Sequence, residues 1–486
     1  MAVLTAERTE EQWLARLIKA HDADLPQLRR MDSFYEGTQP LAYMAPELQR
    51  ELEETVRQVV INWPRLVVDS LEERLDVEGF RFPDQPESDA ELWRIWQAND
   101  LDEQSQQGHL DAMVMGRAYV VIGTRDGDAT TPLVTVESAL DMYAEHDPRT
   151  RQIVAAIKRW SEEDERTTIE HATLYLPNST SWWLKEKGVW IEDPAHPRDD
   201  HDLGEVMIEV LANRPRLKCP NGISELADII PLSDAACKIA TDMMVSAEYH
   251  ATPRRVAFGF GEEDFVDESG RKVSAFSRII GRMWATEKNR KTGGDGDGAD
   301  VIQFPEAQLT NFHSTLNLLG SLVASIAGLP PHYVGHSSDN PASADGIRSA
   351  ESRHIKRAER RQRGNGGTWE RVNRKVLRLV TGVWDPRARS LETIWRDAST
   401  PTEAQSADAA VKKFTAKIIP LRQTREDLRY TQAQIQRMEE MDREAANDAM
   451  ARVMAGDMSA LEAGWKRPPD DDGEDDDAEQ LEGAAA

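Results

Sequence analysis

The spacing of apolar residues changes along this chain from helical to strand-like and back. Over residues 9–115 apolar positions recur at steps of three and four, the period of one helix face. Thr9 and Gln12 stand as a capping box ahead of Trp13, Leu14, Leu17 and Ile18. Pro46 and Pro64 occupy first-turn positions ahead of Leu48, Leu52 and Val56, and of Val67, Leu71 and Leu75. A further helix, ESDAELWRIWQAND, brings Leu92, Trp93, Ile95 and Trp96 together. Between 116 and 212 the period becomes two, in β-branched and aromatic runs separated by Gly, Asp, Asn and Pro, which predicts a twisted antiparallel sheet. Trp182, Trp183 and Trp190 fit packing between elements or a ligand platform. From Pro231 a helix presents Leu232, Ala236, Ile239, Met243 and Ala247, ending before Pro253. Short apolar pieces over 254–305 surround the loop KNRKTGGDGDGAD.

The most organised stretch is 306–383. Leu309, Phe312, Leu316, Leu319, Val323 and Ile326 form one apolar stripe, closed by Gly328, Pro330 and Pro331. HYVGHSSDNPASADG follows, with almost nothing to bury. This is longer than the about two to eight residues that join packed helices. A second long helix then runs from near Asp345 towards Gly382. Its first half carries Arg348, Arg353, Lys356, Arg357, Arg360, Arg361 and Arg363 against only Glu351 and Glu359. Gly364, Gly366 and Gly367 interrupt it and predict a kink or hinge. Trp369, Val372, Val376, Leu379 and Val383 then restore the stripe. ETIWRDAST reads as an edge strand, residues 401–420 as a helix stopped by Pro420, and Ile435 to Val453 as a last helix.

Charge changes the picture more than composition does. The 486 residues carry a net charge of −27, so nucleic acid is not gripped by the overall field; contact would be local or weak. The tail from 468 holds nine acidic groups and no lysine or arginine, and is expected to be disordered. Two cysteines, Cys219 and Cys237, exclude a disulfide framework and fit a reducing compartment. The opening MAVLTAERTEEQW lacks a basic leader before an apolar core. No apolar run reaches the ~20 residues a bilayer needs. A soluble intracellular chain, with no membrane partner, is the expectation.

Catalytic signatures are weak. There is no GxxxxGK[ST] loop for ATP. Asp295, Asp297 and Glu306 take the first, third and twelfth places of a calcium loop. However, Ala299 replaces a ligand, and Asp300 stands where glycine is needed. His336, Ser337 and Asp339 are triad residue types, but neighbours on one loop rarely meet triad geometry. No cofactor or metal is expected, and an enzyme is the weaker class.

Several stretches resemble one family in order. They are YEGTQPLAYMAPEL, NWPRLVVDSLEERLDVEGF, SAEYHATPRR, IAGLPPHYVGHSSDNPASADGIRSAESRHIKRAERRQ and WRDASTPTEAQSADA. Together they resemble the portal proteins of tailed bacteriophages, of the wing, stem, clip and crown type, and most those of actinobacterial phages. The resemblance implies an α+β portal-type fold: a mixed helical and antiparallel-β wing (1–230), stem helices at 231–252 and 306–331, and a small β-containing clip between them (253–305). It further implies a tunnel loop (332–346), a kinked spine helix (347–383), a wing return strand (384–400) and a helical crown (401–465), ahead of the acidic tail (466–486).

For function, the resemblance implies a dodecameric ring at one capsid vertex, a head–tail connector in the virion assembled in the host cytoplasm. Double-stranded viral DNA enters and leaves through it. The implied partners are further copies of the chain, the terminase large subunit, a head-completion or adaptor protein, the major capsid protein and scaffold. His336, Ser337, Ser338, Asp339, Asn340 and Ser343 would face the DNA, with weak contacts that do not stall sliding. Lys291, Asp295 and Asp297 would lie on the clip docking loop. Arg348, Arg353, Lys356, Arg357 and Arg360 would contact DNA or an acidic neighbouring subunit. A minor capsid or scaffold-like protein without a channel, and a divalent-metal nucleic-acid enzyme using DGDGAD, are the alternatives.

Overall fold

The computed structural model describes residues 8–40, 59–85, 88–164, 167–251, 255–258, 300–303, 309–335, 344–399, 403–428, 430 and 432–454. The expected helix after Pro46, the calcium-like loop, residues 336–343 and the acidic tail therefore lie outside the described residues. The chain divides into two compact units, Met1–Ala398 and Ser399–Ala486.

In the first unit, α1 (Glu10–Glu36) opens on the expected capping box. Then come α2 (Trp63–Glu72), with Pro64 in its first turn, and β1 (Val77–Arg81), a strand inside the stretch expected to be helical. Next are α3 (Ala90–Ala98) and α4 (Leu101–Met115). The period-two region forms two sheets rather than one. β2 (Arg117–Arg125) is the centre of a three-stranded sheet between β3 (Asp128–Ser138) and β10 (Ile208–Ala212). The six-stranded sheet runs β4 (Met142–His146), β5 (Ile153–Asp164), β6 (Thr167–Tyr175), β7 (Ser179–Glu186) and β8 (Val189–Glu192), with β9 (Asp199–Asp200) also pairing β7. All these pairings are antiparallel. β2 is buried on both faces: Ala118, Val120 and Ile122 enter one core and Tyr119 the other. The six-stranded sheet turns Ala155, Ile157, Ala172, Leu174 and Trp183 onto Leu14 and Leu17 of α1. Trp183 is thus core, with Trp190 half-buried against it.

α5 (Ile230–Ala251) and α6 (Thr310–Ala327) form a hairpin. The described part of the excursion between them is one antiparallel pair, β11 (Arg255–Phe258) with β12 (Asp300–Gln303). The buried line of α5 is Ser233, Ala236, Cys237, Ala240 and Thr241, shifted from the expected one. Small polar residues are needed there because the 59–61 segment lies against them. The Val59 amide donates to Thr241 Oγ1 (3.3 Å), and Ser233 Oγ donates to the Ile61 carbonyl (3.2 Å).

α7 (Ala344–Thr381) spans 38 residues and stays helical through Gly364, Gly366 and Gly367. β13 (Glu392–Trp395) crosses it and pairs with β1. A Cβ at Gly366 would lie 3.0 Å from Trp395 Nε1, and Thr393 Oγ1 donates to the Gly366 carbonyl at 3.1 Å. A Cβ at Gly364 would meet nothing within 4 Å. Close approach by β13 therefore explains Gly366 and not Gly364. Gly366→Val should destabilise the chain by about 1–3 kcal/mol, whereas Gly364→Ala should stabilise it by up to about 1 kcal/mol. Thermal melting of the two variants tests this, and equal effects would refute it. Trp369, Val372 and Val376 are buried as expected, but Val383 lies past the end of α7 and is exposed.

The second unit contributes α8 (Glu403–Thr415), α9 (Leu421–Asp427) and α10 (Gln432–Met454). α8 ends before Pro420, with Lys417 at φ 53°, so Ile418 is not helical but exposed. Arg422 pairs with Glu439 (2.8 Å) and Arg425 with Asp442 (2.6 Å), tying α9 to α10. Among the described residues no helix is long and apolar enough to cross a membrane.

Candidate functional site

The C-terminus of α6 and the N-terminal half of α7 meet around one buried carboxylate. α6 ends at Gly328 (φ 69°), and the Leu329 amide donates back to the Ala324 carbonyl at 2.9 Å. A Cβ at Gly328 would sit 3.2 Å from Arg353 Nε and Arg357 Cδ, so glycine serves both the backbone turn and the arginines packed over it. Arg353 Nη1 donates to the Ser325 carbonyl (2.8 Å) and Arg357 Nη1 to the Ile326 carbonyl (3.3 Å). Two cations thus cap the negative end of α6.

Arg357 Nη2 also donates to Glu225 Oε2 (2.7 Å), while Arg361 grips Oε1 through Nε (2.9 Å) and Nη2. Arg214 adds a third guanidinium at 3.5 Å. The Glu225 side chain has no exposed surface. Burial alone would push its carboxyl up, but Arg361 and Arg357 outweigh burial and hold it below the usual carboxylate range. Burial pulls the Arg357 guanidinium down, Glu225 opposes this, and crowding by Arg361 and Arg214 adds to it. Four residues after Arg371, Lys375 repeats the arrangement: Arg371 Nε (2.7 Å) and Lys375 Nζ (2.8 Å) hold buried Glu209. Lys375 also donates to the Val206 and Ile208 carbonyls, both at 2.7 Å. Two cation pairs, each four residues apart, thus fix the register of α7.

These contacts correct the expectation that only Glu351 and Glu359 oppose the basic helix. Arg357 and Arg361 are committed to Glu225 in their own chain. Lys356 pairs with Glu359 (2.6 Å), and the Arg348 side chain lies outside the described residues. Sequence reasoning missed Glu225 and Glu209; the visible signal was the pairing of cations at four-residue spacing in α7.

The expected α6 stripe also needs correction. Val323 is fully buried, with Gly320, Ala324 and Ala327 beside it. Leu309, Phe312, Leu316 and Leu319 are half-buried. Ile326 is 43% exposed and belongs to a second stripe, with Leu318 (59%) and Leu322 (42%). The expected channel loop (332–346) begins inside a 3-10 turn, Pro331–Val334. Tyr333 and Val334 pack on the cluster of Val67, Ile229 and Val323. His354 Nε2 lies 2.9 Å from the Ser70 carbonyl, and burial lowers its pKa, so the neutral ring donates. His336, Ser337, Ser338, Asp339, Asn340 and Ser343, with Lys291, Asp295 and Asp297, lie outside the described residues. Among the described residues no three His, Cys, Asp or Glu side chains cluster to hold a metal.

The chain thus combines a helix hairpin interrupted by an excursion, a long basic helix following it, and antiparallel sheets. The family model described as "Phage portal protein, SPP1 Gp6-like" matches residues 14–448, and the chain belongs to that family. Among its relatives is the portal protein of Mycobacterium phage D29, 37% identical over 452 residues, 91% of this chain and 90% of that one. The portal protein of Mycobacterium phage L5 is 36% identical over the same shares. The chain is therefore a portal protein of a tailed bacteriophage, a structural component of the virion.

Proposed function

We propose that copies of this chain close into a dodecameric ring at one capsid vertex, and that viral DNA is packaged and ejected through its centre. The observation that carries this is the second apolar stripe on α6. Leu318, Leu322 and Ile326 follow at steps of four and remain 42–59% exposed in the single chain, although burying what is left of each would gain about 1 kcal/mol. A copy's neighbour in a ring supplies that cover. In this reading α5 and α6 are the stem, 253–305 is the clip, and 336–343 faces DNA with weak polar contacts. The clip, with Lys291, Asp295 and Asp297, docks the terminase large subunit and later a head-completion or adaptor protein. The sheet-bearing body and the second unit meet the major capsid protein and scaffold.

Native mass spectrometry with negative-stain imaging of the purified chain, alone and with scaffold, is the test. A closed ring with a channel is expected; monomers under both conditions would overturn the reading. Replacing 337–343 by a short Gly/Ser linker should leave rings intact while lowering the DNA packaged or retained per head. Unaltered packaging would remove the loop from the conduit.

A further inference from the structure

α7 projects Arg353, Lys356, Arg357, Arg360 and Arg361 from one face, the spacing of adjacent turns. With Arg214 they line a cleft of about 530 Å³ in which, among the described residues, the carboxylates are Glu225 and Asp228. Glu225 is saturated, since both of its oxygens accept from Arg357 and Arg361. Asp228 is half of a loose pair with Arg214 at 3.5 Å. Arg353 spends one N–H on a carbonyl, and a guanidinium has five to offer. Arg360 is exposed, and among the described residues it makes no hydrogen bond or salt bridge. The cleft thus keeps a surplus of positive charge in a chain of net charge −27, and repulsion between cations this close is costly while nothing further neutralises them.

We infer that this cleft is a socket for a carboxylate-bearing surface of a second copy of the chain. The inference rests on the ring reading above and adds the partner of this site. The rim supports a protein occupant over a nucleic-acid phosphate. Ile326 lines the cleft and begins the exposed stripe through Leu322 and Leu318, so apolar surface and arginines are continuous. That combination marks protein interfaces, where arginine is enriched beside an apolar centre. A polyanion would instead meet exposed aliphatic side chains, the Asp228 carboxylate and the field of an acidic protein. A socket filled by a different face of the next copy makes a heterologous contact, which closes into a ring when the rotation between copies allows it.

The test uses the full chain. Arg360→Glu removes a surplus cation that makes no hydrogen bond or ion pair among the described residues, and it relieves repulsion within the cleft, so melting of the single chain should not fall. Its rings should dissociate at concentrations about tenfold or more above those of wild type, and wild-type rings should loosen as salt rises. Independently, wild-type rings mixed from ¹⁴N and ¹⁵N chains and treated with a carbodiimide should join a light Lys356 peptide to a heavy Asp or Glu peptide. Equally stable Arg360→Glu rings, with no mixed cross-link at Lys356, would overturn the socket and leave the ring reading standing. Intact Arg360→Glu rings that lose DNA retention would assign the cleft to phosphates instead. Absence of wild-type rings would defeat the ring reading and the socket with it.

Discussion

Glu225→Ala is expected to destabilise the first unit by about 3–5 kcal/mol, the usual consequence of stripping a buried cation pair of its counter-charge. Arg357 and Arg361 would be left facing each other and Arg214, and among the described residues their one remaining hydrogen bond would be that of Arg357 to the Ile326 carbonyl. Glu225→Gln keeps one acceptor oxygen and the side-chain shape, so it should lose less. The pH dependence has a definite sign. The folded-state carboxyl of Glu225 is held below its ordinary range by Arg361 and Arg357 against the opposing effect of burial. Its contribution is therefore fully present above about pH 4.3, the ordinary glutamate value. It is lost as pH falls through the depressed folded value. Glu209, depressed by Lys375 and Arg371 against burial, behaves the same way. Urea midpoints measured from pH 7 to pH 3 should fall more steeply for wild type than for Glu225→Gln. A Glu225→Ala chain that melts like wild type would show that the clamp does not hold α7.

Leu322→Asp and Val323→Asp should behave in opposite ways although they are adjacent. Leu322 is 42% exposed, so a charge there stays hydrated in the single chain and should change its stability by no more than about 0.5 kcal/mol. Repeated at every interface, it should abolish the ring. Val323 is fully buried among Val67, Ile229 and Ala327. An unpaired carboxylate there has no hydration and no partner, and should cost several kcal/mol in the single chain. Melting curves with native mass spectrometry separate the two cases. Rings that persist in Leu322→Asp would show that the exposed stripe of α6 is not an interface between copies.

What the sequence determined by itself was the order and type of the long elements. The capping box at Thr9, the first-turn Pro64, the stop at Gly328 and the stripe of Trp369, Val372 and Val376 are local signals. They depend only on backbone geometry and side-chain spacing, and the structure keeps each of them. The ordered resemblance to portal proteins was equally legible, because family likeness is carried by the chain's linear order.

What only the tertiary structure decided was which charges meet and which apolar face stays uncovered. Glu225 lies more than 130 residues from Arg357 and Arg361, and no local pattern encodes a contact at that separation. The α7 glycines read as breakers because helix propensity penalises them; packing against β13 overrode that at Gly366. Ile326 fits the helical stripe of Val323 by spacing, yet the stripe that α6 buries runs through Gly320, Val323, Ala324 and Ala327. Small residues there let α5 approach and Val67 of α2 pack against them, and the larger Leu318, Leu322 and Ile326 face outward. Periodicity reports that a helix has an apolar face. Which of two such faces meets its own chain depends on the shapes packed against it.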